Sequence, residues 1–337
     1  MGQSTAGRKP TIRDVAAAAG VSRGTVSRVI NGGHWVSPDA RAAVEDAIRR
    51  TGYTANHHAR SLATGRAGSL AFLLTEPHHL LFEDPTYALL LRGAAEALSK
   101  RSMTLVLLVA GTEDEKANVL EYVRAGHVDG VLLISSHESD PFLGRMREAG
   151  VPIVCSGLPL ALAGQVPSVA IDERAGAREM TRYLRERGHR RIAHIAGPDD
   201  TPGGRFRLEG FREQMGEAFA PELVESGDYG RASGAAAMSR LLARTRDIDA
   251  VFAASDSMAA GAIATLRREG LRVPEDVAVA GFDDSGLAET HEPALTTIRQ
   301  PWARISEEMV AMVVDVIGGG AGREVTLPTE LVVRESA

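Results

Sequence analysis

Near the start of the chain, Ser22 to Arg28 combine side chains whose types and spacing suit the reading of a DNA base edge. At 100° per residue, Arg23, Gly24, Ser27 and Arg28 fall on one side of a helix, with Val26, Val29 and Ile30 on the other and Val21 nearby. Two guanidiniums, a hydroxyl and bare backbone fit a major groove: arginine can bond guanine through two parallel hydrogen bonds, and glycine lets the helix come close. A second set of residues lies far along the chain, at the ends of apolar runs. Asp283 and Asp284 follow VAVAGF, Ser255 and Asp256 follow VFAA, Arg207 opens a helix in RFRLEGF, Tyr229 sits in GDYGRASG and Gln300 in TTIRQP. Carboxylates and a guanidinium bond hydroxyls, and an aromatic ring covers a C–H face, so this set suits a polyol. Asp256 and Asp283 also stand where they could cap helices. The run TEPHHLLFEDPTY would add Glu76, Phe82, Asp84 and Tyr87 to the same cleft, or else form a surface loop.

The elements that must hold the first set are three short helices. The first begins at Thr11, a capping residue with Asp14 three positions on, carries the stripe Ile12, Val15, Ala16, Ala19, and stops at Gly20. The second starts at Ser22 and ends near Asn31-Gly32-Gly33. The third opens with Ser37-Pro38, turns Val44, Ala47 and Ile48 inward, and ends at Gly52. The first two, joined by the tight AGVS turn, form a helix-turn-helix. Charge agrees: residues 1–66 hold ten Lys/Arg against four acids, while the rest holds 28 against 40. A basic head on an acidic body points to a nucleic-acid partner, although a solvated basic tail would give the same numbers. Trp35, between the second and third helices, is expected to pack, with a phosphate contact as the alternative.

The runs TIRDVAAAAGVSRGTVSRVINGG, VSPDARAAVEDAIRRTGYTAN and ARSLATGR resemble the lactose/galactose repressor (LacI/GalR) family of bacterial regulators, and the likeness extends over essentially the whole chain. It implies that Thr11, Ser22, Arg23, Ser27, Arg28, Asn31, Tyr53 and Asn56 contact DNA, with Arg23 and Gly24 at the two principal base-reading positions. Thr25 and Arg60 complete the expected DNA-facing set. With glycine at 24, side-chain readout falls more heavily on Arg23. The segment TANHHARSLATGRAG has a capping residue in Asn56 and room for under two helical turns, from His57 to Leu62. So short a helix is unstable alone in water. The resemblance implies that it folds on the operator and that Leu62 wedges into the minor groove; a flexible linker is the alternative.

From residue 69 onward, short apolar runs alternate with helical stretches, which implies parallel sheets covered by helices. The expected architecture is an all-α helix-turn-helix DNA-binding head (1–55), a hinge helix or linker (56–68), and an α/β two-lobe, periplasmic-binding-protein-like effector and dimerisation domain (69–337). Its N-lobe should take in about 69–168 plus 299–325, and its C-lobe 169–298 plus 326–333. A ligand cleft would lie between the lobes at the carboxyl ends of the strands. The resemblance places Arg207, Tyr229, Ser255, Asp283 and Gln300 at effector-contacting positions; asparagine is usual where this chain has Ser255. Cys155 is expected to be buried, and Trp302 to pack at the start of the last long helix.

The reading is of a DNA-binding regulator, and probable partners follow from it: a near-palindromic double-stranded DNA operator, a second copy of the chain, and a small-molecule effector, a saccharide before a purine. A solute-binding module would explain the body but not the head. An enzyme would need a phosphate loop, a GxGxxG turn or a paired acid and base, and none is read in the sequence. No cofactor and no metal are expected; the adjacent pairs His57-His58 and His78-His79 lack a third ligand at useful spacing. One cysteine, no apolar leader and no bilayer-length run point to the cytoplasm and to no membrane.

Overall fold

The computed structural model describes residues 10–30, 35–53 and 65–337. They fall into two compact units that divide between Ala67 and Gly68. The first contains helices α1 (Ile12–Ala19), α2 (Arg23–Ile30) and α3 (Pro38–Thr51). Asp14 stabilises the start of α1 by accepting hydrogen bonds from the Thr11 amide and hydroxyl, both at 2.7 Å. Ser22 Oγ accepts from the Thr25 amide at 3.1 Å, and Ser37 Oγ from the Ala40 amide at 3.3 Å. Helices α1 and α3 end on Gly20 and Gly52, whose φ values of 66° and 65° are the left-handed conformation that a glycine enters without steric cost.

The apolar stripes meet as their spacing requires. Val15, Ala16, Val26, Val29, Val44 and Ala47 are buried, with Ile12, Ala19, Val21, Ile30, Val36, Ile48 and Tyr53 around them. Each fully buried valine contributes about 1.5–3 kcal/mol of burial, which three short helices cannot obtain apart. Trp35 departs from expectation: 90% exposed, it takes no part in this core. Asn31, Asn56, Arg60 and Leu62, and with them most of the expected hinge, lie outside the described residues.

The second unit has two parallel sheets. Its first half runs β1 (Ser69–Leu74), α4 (Leu80–Glu83), α5 (Pro85–Ser99), β2 (Thr104–Val109), α6 (Glu113–Arg124), β3 (Gly130–Leu133), α7 (Phe142–Glu148), β4 (Ile153–Ser156) and β5 (Ser168–Ile171). Next come α8 (Glu173–Glu186), β6 (Ile192–Ala196), α9 (Pro202–Met215), β7 (Val224–Ser226), α10 (Arg231–Arg244), β8 (Ala250–Ala253), α11 (Asp256–Arg268), β9 (Ala278–Ala280) and α12 (Leu287–Thr290). The last part is β10 (Thr297–Arg299), α13 (Trp302–Ile317), β11 (Glu324–Leu327) and β12 (Glu330–Val332). One lobe holds the sheet β11-β5-β4-β3-β1-β2, the other β7-β6-β8-β9, and β10 pairs antiparallel with β12. Every residue of β1 is buried, as its unbroken apolar run requires when helices cover both faces.

The chain passes between the lobes where the sheet order demands it. Strand β5 pairs with β4 and β11 in the first sheet, so the expected lobe boundary at 168 falls inside a strand and the passage comes after Ile171. Helix α13 packs on β3, β4 and β5 and returns the chain to the first lobe, where β11 adds an edge strand. That lobe therefore extends through Leu327, slightly past the expected 325. Among the described residues no helix is long and apolar enough to cross a membrane.

Candidate DNA-reading face and small-molecule cleft

On α2 the buried side is Val26 and Val29; Ser22, Arg23, Gly24 and Arg28 are exposed. Arg28 Nε donates to the Gly24 carbonyl at 3.2 Å, which lays its guanidinium along the exposed face. Arg23 makes no hydrogen bond among the described residues and is free to reach outward. A Cβ at position 24 would meet only Ser22 Oγ at 3.7 Å and Arg28 Nη2 at 3.8 Å. The head's packing therefore does not require glycine there, and the bare surface is left for an outside partner. Thr11, Ser22 and Thr25 bond within the head as caps, and Tyr53 packs against its core. Ser27 is half-buried.

In the body, a cavity of about 300 Å³ is lined from both lobes and from the connections between them. That volume is at the low end of small-molecule sites, roughly 300–1,000 Å³. Of the residues expected at the effector, Arg207, Tyr229, Asp283, Gln300 and Asp84 line it, as do Glu76 and Tyr87. Arg207, one turn into α9, is buried and bonds Glu173 Oε2 through Nε at 2.6 Å; its Nη1 stands 3.5 Å from Asp283 Oδ1 and donates to the Ala254 carbonyl. Its guanidinium also lies 3.7 Å from the centroid of the Phe282 ring. Burial opposes its charge, but Glu173 and Asp283 outweigh that and hold it firmly protonated. Burial pushes the Asp283 carboxyl well above the ordinary range despite Arg207. Gln300 Nε2 donates to Asp283 Oδ1 at 2.7 Å, and Trp302 Nε1 to the Asp283 carbonyl at 2.9 Å. Asp283 itself adopts φ 121°, strained for a side chain and sustained only because these bonds fix it.

Tyr229, at φ 70°, turns its ring against the end of β6. A Cβ on Gly197 would come within 2.4 Å of that ring, so only glycine leaves room. The phenol and Thr201 Oγ1 hydrogen-bond at 2.8 Å. Burial raises the Tyr229 phenol, and burial likewise raises Asp84, whose Oδ1 accepts from the Thr86 amide at 2.9 Å at the start of α5.

Two expected residues stand elsewhere. Ser255 does not line the cavity: its Oγ accepts the Met258 amide at 3.1 Å as the cap of α11 and donates to the Tyr229 carbonyl at 2.8 Å. It holds the ring's backbone instead of reaching the cavity. Phe82 is 86% exposed on α4 and outside the lining. Asp256 is buried at the first turn of α11, accepting from the Thr297 hydroxyl at 2.6 Å and the Asp284 amide at 2.8 Å, so it fastens the loop that carries Asp283. Sequence reasoning missed Trp302, Glu173 and His137, all of which line the cavity. His137 in ISSHESD and Glu173 in IDERAG follow apolar strands, the same signal that pointed to Asp283. Cys155 is buried, which raises its thiol to about 12. Among the described residues no group of three or more His, Cys, Asp or Glu could hold a metal ion.

A three-helix head with an outward arginine face, on one chain with a two-lobe α/β body that encloses a polar cleft, defines a DNA-binding regulator controlled by a small molecule. The chain belongs to the lacI family of bacterial regulatory proteins: the family so described matches residues 11–56, and the periplasmic binding protein-like domain matches 181–337. Over 335 residues it is 47% identical to the HTH-type transcriptional regulator CelR of Thermobifida fusca, covering 98% of each chain. It is 32% identical to the transcriptional repressor CytR of Escherichia coli K12, covering 97% of this chain and 96% of the relative. Among solved structures it is similar to a CelR–cellobiose complex (45% identity, TM-score 0.78, covering 98% of this chain and 100% of that one). It is also similar to the lac repressor dimer bound to operator and the anti-inducer ONPF (26%, TM-score 0.85, 98% and 99%). The protein is a transcriptional regulator, not an enzyme.

Proposed function

We propose that the effector is a neutral disaccharide of the cellobiose type, and that it acts on a homodimer bound to a near-palindromic operator in the cytoplasm. The observation that carries the sugar reading is the cavity lining: Glu76, Glu83, Asp84, Glu173, Asp228 and Asp283 face it against one guanidinium, Arg207, with the rings of Tyr87, Tyr229 and Trp302 among them. Carboxylates accept bonds from sugar hydroxyls and aromatic faces cover sugar C–H groups, whereas a phosphorylated or acidic ligand would meet like charge. The likeness to a regulator solved with cellobiose supports the same reading. Arg207, Tyr229, Asp283, Gln300 and Asp84 are the proposed effector contacts. Arg23 is the proposed base-reading residue, with Gly24 admitting the helix to the groove, Thr11, Ser22, Thr25, Ser27, Arg28, Asn31, Tyr53, Asn56 and Arg60 as further DNA contacts, and Leu62 as the wedge in the minor groove.

Likeness to purine repressors, 35% identical over 312 residues, keeps a purine as the competing ligand. A thermal-shift screen of neutral saccharides, sugar phosphates and nucleobases separates them. At ~100 times its dissociation constant, cellobiose should add ~2.7 kcal/mol of stability, with no shift from the anionic sugars or nucleobases. A shift with a purine and none with any neutral saccharide would overturn the reading.

A further inference from the structure

His137 occupies a position that ligand contact alone does not explain. It stands on the loop after β3 in the first lobe, with both ring nitrogens engaged by carboxylates of different lobes. Nε2 lies 2.9 Å from Glu76 Oε1 in the first lobe, and Nδ1 lies 2.9 Å from Asp200 Oδ1 in the second. For both nitrogens to donate to carboxylates the ring must carry both protons. The bond to Glu76, joined by that to Asp200, accordingly outweighs burial and raises the imidazole to about 9. The surrounding bonds cross between the same two loops: Ser139 Oγ donates to Asp200 Oδ2 at 2.8 Å, the Glu138 amide donates to the Asp200 carbonyl at 2.8 Å, and Arg205 pairs with Glu138.

We propose that His137 is a positioning residue for closure of the cleft, the cationic pin of a clasp that joins Glu76 of one lobe to Asp200 of the other. Glu76 has Ser135 as its other side-chain partner, and Asp200 has Ser139; neither hydroxyl can neutralise a carboxylate. Without the imidazolium, two partly buried carboxylates, 12% and 30% exposed, would stand across the lobe interface with no cation between them. Loss of the pin therefore turns attraction into repulsion. A residue that merely filled space would lack this sign change. The clasp is independent of which small molecule the cleft receives.

Hydrogen exchange on the ligand-free, full-length protein tests it. The Glu138 amide reports the contact between lobes, and the Val131 amide, bonded to the Pro152 carbonyl inside the first lobe, reports the fold. His137→Ala should speed exchange at Glu138 at least tenfold and leave Val131 unchanged. Adding Asp200→Asn, which removes the repulsion and keeps the accepting carbonyl, should restore at least threefold of that protection. Because a loop truncated at 137 might lose its shape, His137→Gln supplies a neutral donor of similar reach and should fall between wild type and His137→Ala. Unchanged protection in both single variants, or a double variant as exposed as His137→Ala, would overturn the clasp.

Discussion

A methyl group at position 24 would enter open space beside Ser22 Oγ and the Arg28 guanidinium, at contact distances of 3.7 and 3.8 Å. Glycine in a helix costs up to about 1 kcal/mol relative to alanine. Gly24→Ala should therefore raise the head's melting temperature while weakening operator binding, because the added methyl would stand between α2 and the groove. Calorimetry of the head beside an operator titration checks both signs; a variant that is more stable and binds equally well would remove Gly24 from the interface. At another residue the same argument from environment gives a pH dependence. His194 is fully buried, its Nδ1 donating to the Phe252 carbonyl at 2.8 Å and its ring stacked 4.7 Å from Phe211. Burial lowers its pKa to about 4. The unfolded chain takes up a proton near pH 6.5 and the folded chain only near 4, so the stability that neutral His194 permits is intact above 6.5 and falls between those values. The loss amounts to about 3 kcal/mol from this group. Denaturant midpoints of wild type and His194→Phe from pH 7 to 4 should diverge by that amount; a constant difference would mean that the ring is protonated in the fold.

Helices α5 and α13 meet where α5 has Gly93. A Cβ there would lie 2.6 Å from Ser306 Oγ, and Ser306 is itself buried, donating to the Leu90 and Trp302 carbonyls at 3.1 Å. Gly93→Val must push α13 away, at a cost of about 1–3 kcal/mol. The same push moves Trp302 at the cavity wall, so ligand affinity should fall with stability, and Ser306→Gly should recover part of both. Unaltered affinity in a destabilised Gly93→Val would separate this helix from the site. Elements of this kind were unequally legible beforehand. The three head helices could be read outright, because Thr11, Ser22 and Ser37 mark the starts, Gly20 and Gly52 two of the stops, and the valine spacing names the inner faces. In the body, alternation gave the strands and the end at which ligands bind, but strand ends offer more polar residues than a cavity can use. Ser255 and Asp256 are consumed by capping and loop fastening, which depends on partners at Tyr229 and Thr297 far away in the chain. Trp302 was expected to pack because a tryptophan after proline at a helix start does so commonly; its Nε1 bond to Asp283 is a contact made only after β9, β10 and α13 assemble.

For the molecule as a whole, the basic residues of the head and the acidic excess of the body divide two tasks on one chain. The head reads DNA through electrostatics and a few base contacts, and the body reports a small molecule by how its lobes close. Asp283 belongs to the second task alone: it is buried against Arg207, Gln300 and Trp302, all within the body. Asp283→Ala should therefore abolish the ligand response and leave operator affinity in the absence of ligand unchanged, as read by the same titration with and without sugar. The central claim, that occupancy of the cleft governs DNA binding, is tested most directly by measuring operator affinity of the full-length protein with and without saturating cellobiose, and cellobiose affinity with and without operator. Linkage requires both to change by one common factor, expected at roughly 5–150-fold. Cellobiose that binds the cleft and leaves operator affinity unaltered would contradict the account.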